Sequence, residues 1–168
     1  MSVILGIDTS TSILDCAILR DGVVLVEGHS DEARTHSERC LPMVIELLEK
    51  AGMEPADVDI FAATVGPGSY TGLRIGVATA RALAYGSGAR AMGISTLELM
   101  QKGEATPVID ARNGAVFALV DGEHKRVSLE EMEGRELVYP FAGKWSGICE
   151  ADLRDLDDMD MIYLGGSV

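Results

Sequence analysis

The chain has 168 residues, of which 47% are hydrophobic, so it can bury a sizeable core as one domain or as two small lobes. Its 27 acidic and 14 basic side chains give a net charge of −13, which argues against broad contact with nucleic-acid phosphates or an anionic membrane. The three cysteines form no C-x-x-C pair, so neither a zinc site nor a disulfide framework is indicated. The start has no basic leader and no apolar run approaches about 18 residues, so we expect a soluble, cytoplasmic protein that is not exported.

The beginning of the chain predicts three strands in succession. Residues 3–7 form a short aliphatic run that ends in the polar turn Asp8-Thr9-Ser10-Thr11. Residues 14–19 and 23–27 also have strand patterns, and Asp21-Gly22 between them is a strong hairpin signal, because this pair accepts the positive φ of the turn. We therefore predict an antiparallel meander.

A helical period follows the meander. Four apolar side chains recur at helical spacing before a stop at Gly52, namely Leu41, Val44, Ile45 and Leu48. Residues 35–38, Thr-His-Ser-Glu, have the spacing of a capping box, whereas Pro42 favours a start nearer Cys40 or a kink. Further along, the pattern predicts a strand at 59–65, a helix at 73–85, a strand at 91–94 and a helix beginning at Ser95 or Thr96.

The character of the chain changes after about residue 105. Residues 108–110 and 115–120 have strand patterns, and a second Asp-Gly turn follows at Asp121-Gly122. The acidic stretch 150–160 has poor periodicity and is predicted to be a surface helix or loop. We therefore predict an N-terminal lobe over residues 1–104 and a smaller second lobe with a tail over 105–168.

The stretch 66–76, GPGSYTGLRIG, lies between a predicted strand and a predicted helix. It lacks the lysine of a Walker loop, the Gly-x-Gly-x-x-Gly spacing of a dinucleotide fingerprint and the Gly-x-Ser-x-Gly of a nucleophile elbow. A strand-to-helix turn remains, whose amides could hold an anion or whose glycines could permit a tight backbone. The turn at Asp8 and Thr9 has two corresponding interpretations, a phosphate-binding turn or an Asx turn that closes a strand.

The helix after this loop carries a face of very small side chains. Gly76, Ala80 and Ala84 lie four residues apart, so this face can approach another helix closely. The other helix could belong to a partner or could be this chain's own first helix. No metal is predicted, because the three histidines lie far apart in sequence and lack the spacing of a metal-binding motif.

Four blocks together resemble the bacterial TsaB family, also called YeaZ. They are ILGIDTST (residues 4–11), THSERCLPMVIELLEKAG (35–52), GPGSYTGLRIGVATARALA (66–84) and IDARNGAVFA (109–118). The resemblance covers roughly the first 120 residues and fades beyond Arg126. It implies an α/β, actin-like fold of the ASKHA, ribonuclease H-like class, with an N-terminal lobe of order β-β-β-α-β-α-β-α and a shortened second lobe.

The resemblance also implies a function without catalysis. Members of the family are partner subunits of TsaD, which transfers a threonylcarbamoyl group onto an adenosine beside the tRNA anticodon. They work with the ATPase TsaE, and they form homodimers that compete with the TsaD heterodimer. The resemblance implies that this chain requires no cofactor of its own, although ATP or ADP could bind at an interface shared with a partner. It also implies no membrane binding and no direct strong binding to nucleic acid.

The resemblance assigns partner or dimer contacts to the two long helices, at His36, Ser37, Leu41, Met43, Val44, Leu47, Leu48, Arg74, Gly76, Val77, Ala80, Arg81 and Ala84. It assigns vestigial phosphate-type loops, remnants of an ATP-binding ancestor, to Asp8, Thr9, Ser10, Gly66, Gly68, Ser69, Tyr70, Thr71 and Gly72. No catalytic residue is implied. On this basis Ala80→Arg is expected to disrupt pairing through bulk and charge.

Two other functions stay open at this point. A small-molecule kinase or ATPase would use Asp8 and Thr9 as one phosphate turn and the glycine loop as another, although fold analogy does not establish activity. A peptidase is suggested by the glycoprotease label of relatives, but no metal motif or triad supports it. The family's terminal Tyr-Leu-Arg is matched only at Tyr163 and Leu164.

Overall fold

The computed structural model describes residues 1–32 and 35–158, which form two β-sheets and three α-helices. Tyr163 and Leu164, the residues matched to the family's terminal motif, lie outside the described residues. The first part of the chain consists of β1 (Val3–Asp8), β2 (Leu14–Arg20), β3 (Val23–Ser30), α1 (His36–Ala51), β4 (Ile60–Thr64), α2 (Tyr70–Ser87), β5 (Arg90–Ile94) and α3 (Thr96–Met100). The second part consists of β6 (Thr106–Asp110), β7 (Ala115–Val120), β8 (Glu123–Ser128), β9 (Leu137–Val138) and β10 (Arg154–Asp155).

The larger sheet has six strands in the order β10-β5-β4-β1-β2-β3. The first three strands are antiparallel, whereas β1, β4 and β5 run parallel and are joined through the helices. This order, with its predicted sequence of elements, is the topology of the actin-like, ribonuclease H-like class. The Asp-Gly pair at the first hairpin has φ of 51° and 80°, as the predicted turn requires.

The two faces of the larger sheet are covered differently. Alternate residues of β1 point to opposite faces, so Leu5 and Ile7 join a core with Val44 of α1 and Ala80 of α2. Ile4 on the other face joins a core with Leu99 and the sole tryptophan of the chain, Trp145. Asp8 belongs to this second face, because it lies four residues after Ile4 on the same strand.

The first helix begins differently from the prediction. It starts at His36, with Pro42 inside it, and not near Cys40. Thr35 precedes the helix but does not cap it, because its hydroxyl donates to the carbonyl of Glu32 at 2.9 Å. The predicted capping box is therefore wrong, whereas the predicted stop at Gly52 is confirmed by its left-handed φ of 64°.

The smaller sheet has the order β8-β7-β6-β9. It occupies the middle of the predicted second lobe, but the chain then returns to the larger sheet, where β10 pairs with β5. The stretch predicted to be a surface helix or loop supplies a short 3₁₀-helix, Glu150–Asp152, and this edge strand. Within the described residues, no helix is long and apolar enough to cross a membrane.

Candidate functional site

The Asp8 side chain, at the end of β1, is buried and is held by hydrogen bonds from the chain itself. One carboxylate oxygen, Oδ1, accepts hydrogen bonds from the backbone amide and hydroxyl of Ser10 and from the Thr64 hydroxyl, the last at 2.8 Å. Asp8 has no exposed surface. The Asx turn considered for this position is thus present, and the second oxygen, Oδ2, remains available to another group.

That group is the ammonium of Lys144, from the segment after the smaller sheet. Its Nζ lies 2.8 Å from Asp8 Oδ2 and 3.8 Å from Asp15 Oδ2, and none of the three side chains is more than 1% exposed. Asp8 and Asp15 are register partners in the pairing of β1 with β2, so their side chains lie side by side on one face. The backbone amides of Gly143 and Lys144 donate to the Asp15 carboxylate at 3.2 and 3.0 Å.

The two carboxylates of this cluster titrate in opposite directions. Burial raises the pKa of Asp8, but the neighbouring Lys144 ammonium and the hydrogen bonds from Ser10 outweigh burial, so its pKa is lowered from the ordinary 3.8. Burial also raises the pKa of Asp15, and there the lysine and the backbone amides offset it only in part, so its pKa remains raised. The ammonium therefore stabilises chiefly the ionised form of Asp8.

Trp145 fixes the lysine in this position. Its ring is fully buried, and its Nε1 donates to the Asp15 carbonyl at 3.2 Å. The ring lies against Gly6 so closely that any side chain there would overlap it, which explains a glycine in the middle of a buried strand. On the outer side, Lys102 Nζ donates to the carbonyls of Lys144 and Ser146 at 3.2 and 2.9 Å.

The glycine loop packs directly on the Asp8 turn. The Ser69 amide donates to the Ser10 carbonyl at 2.7 Å, and the Thr9 hydroxyl donates to the Gly72 carbonyl at 2.6 Å. A Cβ on Gly68 would overlap Ser10, and one on Gly72 or Gly76 would overlap Thr9. The glycines of this loop therefore serve a close backbone approach, and the two loops predicted to be phosphate-type remnants are one packed corner.

Most of the predicted interface residues are buried within the single chain. These are His36, Met43, Val44, Leu47, Leu48, Gly76, Val77, Ala80 and Ala84. The small-residue face of α2 lies against the chain's own core, because a Cβ on Gly76 would meet Thr9 and Ile7, and Ala80 has no exposed surface. Because Ala80 is buried, Ala80→Arg would also disturb folding, so this variant cannot separate a loss of pairing from a loss of folding.

The remaining predicted interface residues, Ser37, Leu41, Arg74 and Arg81, are exposed. The Arg74 guanidinium lies over the Tyr70 ring, 5.1 Å from its centre, and Arg81 donates to the Leu156 carbonyl at 2.9 Å. His36 has an internal task, since its Nε2 donates to the Thr11 carbonyl at 2.8 Å and joins α1 to the β1–β2 turn.

The residues that sequence reasoning missed are Lys144, Trp145 and Asp15. Lys144 stands beside the single tryptophan of the chain, within the stretch GKWSG, and this tryptophan is the one sequence signal that marks the segment as structurally important. Nothing local in the sequence shows that this lysine meets the two acids, since even Asp15, the nearer of them along the chain, is 129 residues away from it.

A serine–histidine pair links the two sheets but does not form a triad. Ser95 Oγ lies 2.5 Å from His124 Nε2, and the same hydroxyl caps α3 by accepting from the Leu97 and Glu98 amides. Ser95 is fully buried, and no carboxylate bonds to His124 in residues 1–32 and 35–158. The same part of the chain contains no group of three or more metal-ligating side chains.

Comparison with known proteins shows that the chain is similar to proteins named for tRNA modification. A family model described as TsaD, tRNA N6-adenosine threonylcarbamoyltransferase, matches residues 30–138. The tRNA threonylcarbamoyladenosine biosynthesis protein TsaB of Escherichia coli (strain K12) is 35% identical over 160 residues, covering 84% of this chain and 68% of that protein. The TsaB of Bacillus subtilis (strain 168) is 38% identical over 120 residues, covering 68% of this chain and 52% of that protein. The chain thus spans only about half to two thirds of the length of these relatives.

Solved structures agree on the fold. YeaZ from Pseudomonas aeruginosa superposes with a TM-score of 0.62 and 31% identity, covering 76% of this chain and 65% of that one. A Pseudomonas aeruginosa protein described as similar to peptidase YEAZ superposes with a TM-score of 0.80 and covers 98% of this chain and all of that one, but at 24% identity it supports the fold alone. The predicted fold class is confirmed, and the chain belongs to the TsaB (YeaZ) family.

Proposed function

We propose that this chain is a non-catalytic subunit that binds TsaD and supports threonylcarbamoyl transfer to the adenosine beside the tRNA anticodon. Two relatives carry tRNA threonylcarbamoyladenosine biosynthesis in their names, and the matching family model is that of the transferase, which supports a place in this pathway. The net charge of −13 disfavours direct contact with tRNA, so in this proposal TsaD holds the tRNA.

One observation carries the proposal, namely large apolar side chains exposed on the two long helices. Leu41 and Ile45 on α1 are 45% and 49% exposed, and Tyr85 on α2 is 93% exposed. Exposed apolar side chains that are grouped mark an interaction site, and here Leu41 and Ile45 share one face of α1 while Ala78, Ala82 and Tyr85 share one face of α2. We call these three residues, with the exposed Ala78 and Ala82 of α2, the apolar flank.

The outer surface of α1 is divided between apolar and charged residues. Leu41 and Ile45 lie one turn apart, beside the buried Leu48, so the apolar flank continues from the core onto the surface. Elsewhere on this surface, Glu46 and Lys50 form an ion pair of 2.7 Å. The division is what a helix needs when one side meets a partner and the other meets water.

The Asp8 cluster supports a subunit role over the kinase or ATPase alternative. The turn that such an enzyme would use for a metal-bound phosphate holds a buried lysine of the same chain, at 2.8 Å from Asp8. In this proposal, any ATP or ADP binds at the interface shared with TsaD and not at Asp8, and TsaE acts on the assembled pair. The homodimer and the TsaD heterodimer use the same flank and therefore compete.

The proposal is tested by size-exclusion chromatography with light scattering, on the chain alone and mixed with TsaD. We expect a homodimer that converts to a one-to-one heterodimer, and no ATP turnover by this chain alone. The double variant Leu41→Asp, Ile45→Asp should lose both species while remaining folded, because charges placed in an apolar contact are desolvated without partners.

A matched control is available on β3. Val23 and Leu25 are 65% and 40% exposed, similar to the flank residues, but lie on the far edge strand of the larger sheet. The double variant Val23→Asp, Leu25→Asp should pair with TsaD as the wild-type chain does. Loss of pairing in this control only, or ATP turnover by the isolated chain that Asp8→Ala abolishes, would overturn the proposal.

A further inference from the structure

The Asp8–Asp15–Lys144 cluster has the chemistry of an occupied cation site. The register of β1 with β2 places two carboxylates side by side, and the Oδ2 atom of each faces the same ammonium, at 2.8 and 3.8 Å. The other oxygens are held in place, Asp8 Oδ1 by Ser10 and Thr64, and Asp15 Oδ1 by the Gly143 amide. The arrangement therefore orients two oxygen ligands toward one point.

Two buried carboxylates in this position require a positive charge. Like charges at this separation disfavour double ionisation, so without a cation one of the two would take up a proton. The lysine enters with its whole side chain buried, which is rare for lysine and costly unless the charge is paired. The cost is incurred at a position where the fold already presents a pair of acids.

The charged contacts of the lysine are two carboxylate oxygens. Nζ lies 2.8 Å from Asp8 Oδ2 and 3.8 Å from Asp15 Oδ2, so it stands between one oxygen of each acid. Carboxylate oxygens are the ligands of hard divalent cations, and Mg²⁺ typically binds one or two carboxylates and retains several waters.

We propose that the Lys144 ammonium occupies a divalent-cation site formed by Asp8 and Asp15, so that the chain carries a latent metal site closed by its own lysine. The ligand class is a hard divalent cation, Mg²⁺ or Mn²⁺. In the wild-type chain the lysine supplies the positive charge, so folding and partner binding are independent of such ions at this position. This inference rests on the geometry of the cluster and is independent of the proposed TsaD partnership.

The test is Mn²⁺ binding by electron paramagnetic resonance and thermal unfolding, on the full chain. Lys144→Ala removes the ammonium and leaves space beside both acids, and it should gain one Mn²⁺ site at least about tenfold tighter than any in the wild-type chain. Lys144→Met removes the charge but fills the space, and it should gain none. The double variant Lys144→Ala, Asp8→Asn corrects for the many surface acids and should also gain none.

Failure of Lys144→Ala to fold does not remove the test. In that case Mn²⁺, or Mg²⁺ at higher concentration, should restore its cooperative unfolding transition, and Asp8→Asn in the same background should abolish the rescue. Three results would overturn the proposal: no gain of Mn²⁺ binding or rescue in Lys144→Ala, an equal gain in the double variant, or a tight site in the wild-type chain that Asp8→Asn removes.

Discussion

The Asp8–Asp15–Lys144 cluster and the apolar flank of the helices are opposites in composition and in exposure. The cluster is charged, yet it is fully buried, and its ammonium comes from Lys144 of the same chain. The flank is apolar, yet Ile45 and Tyr85 are exposed to solvent. The difference teaches that the polar motif at Asp8 is used inside the chain's own fold. The surface that another molecule could reach consists instead of helical residues that form no recognisable motif.

The largest expected effect comes from breaking the buried ion pair of Asp8 with Lys144. Asp8→Asn leaves Lys144 buried with only Asp15 at 3.8 Å, and removing one partner of a buried ion pair typically costs about 3–5 kcal/mol. We expect a loss of this size in the free energy of unfolding, measured by urea denaturation. The flank variant Leu41→Asp, Ile45→Asp should change it far less, since surface substitutions usually stay within about 0.5 kcal/mol. Equal losses in the two proteins would abolish the contrast.

The pH dependence sharpens the same contrast. The pKa of Asp8 is lowered below 3.8, so its stabilising effect is complete above that pH and is lost as the pH falls through its value in the folded chain. The pKa of Asp15 is raised, so its ionisation costs stability as the pH rises through a value above 3.8. The two effects therefore fall in separate pH windows.

We expect the difference in unfolding free energy between the wild-type chain and Asp8→Asn to shrink as the pH falls below 3.8. Urea denaturation at a series of pH values measures it. The flank variant, in which the Asp8–Asp15–Lys144 cluster is unchanged, should follow the wild-type curve in this window. A wild-type advantage that persists undiminished in strong acid would show that the ion pair is not its source.

A smaller effect on stability is expected at two glycines of α2, with opposite signs. Gly72 lies at the packed N-terminal end of the helix and Gly86 at its exposed C-terminal end. A Cβ on Gly72 overlaps Thr9, whereas Gly86 has open space around it. Gly72→Ala should therefore cost about 1–3 kcal/mol through overpacking. Gly86→Ala should gain about 0.5–1 kcal/mol, because alanine loses less backbone entropy in a helix. Thermal unfolding measures both, and a stabilised Gly72→Ala would contradict the close packing.

Local signals in the sequence predicted the fold well. The Asp-Gly hairpins at Asp21 and Asp121, with φ of 51° and 53°, depend only on neighbouring residues, and the helical period of α1 follows from spacing alone. The capping box failed, because the Thr35 hydroxyl has a competing acceptor at Glu32 that the pattern does not reveal. Side-chain choice between equally near partners is not encoded in spacing.

The candidate site was predicted only in part. Asp8 and the glycine loop were identified from their motifs, but the lysine that meets Asp8 arrives from a distant segment with no motif of its own. The small-residue face containing Ala80 illustrates the other limit, since the same pattern fits a partner helix or the chain's own core. The pattern specifies close packing and does not specify with what.

The return of the chain to the larger sheet has a consequence for synthesis. Asp8 and Asp15 emerge early from the ribosome, whereas Lys144 and the edge strand Arg154–Asp155 emerge only after the whole smaller sheet. The counter-charge of the two acids and the strand that covers the β5 edge are therefore the last parts of the larger sheet to be synthesised. The larger sheet is begun first and completed last, so it cannot be complete before all the residues between have been made.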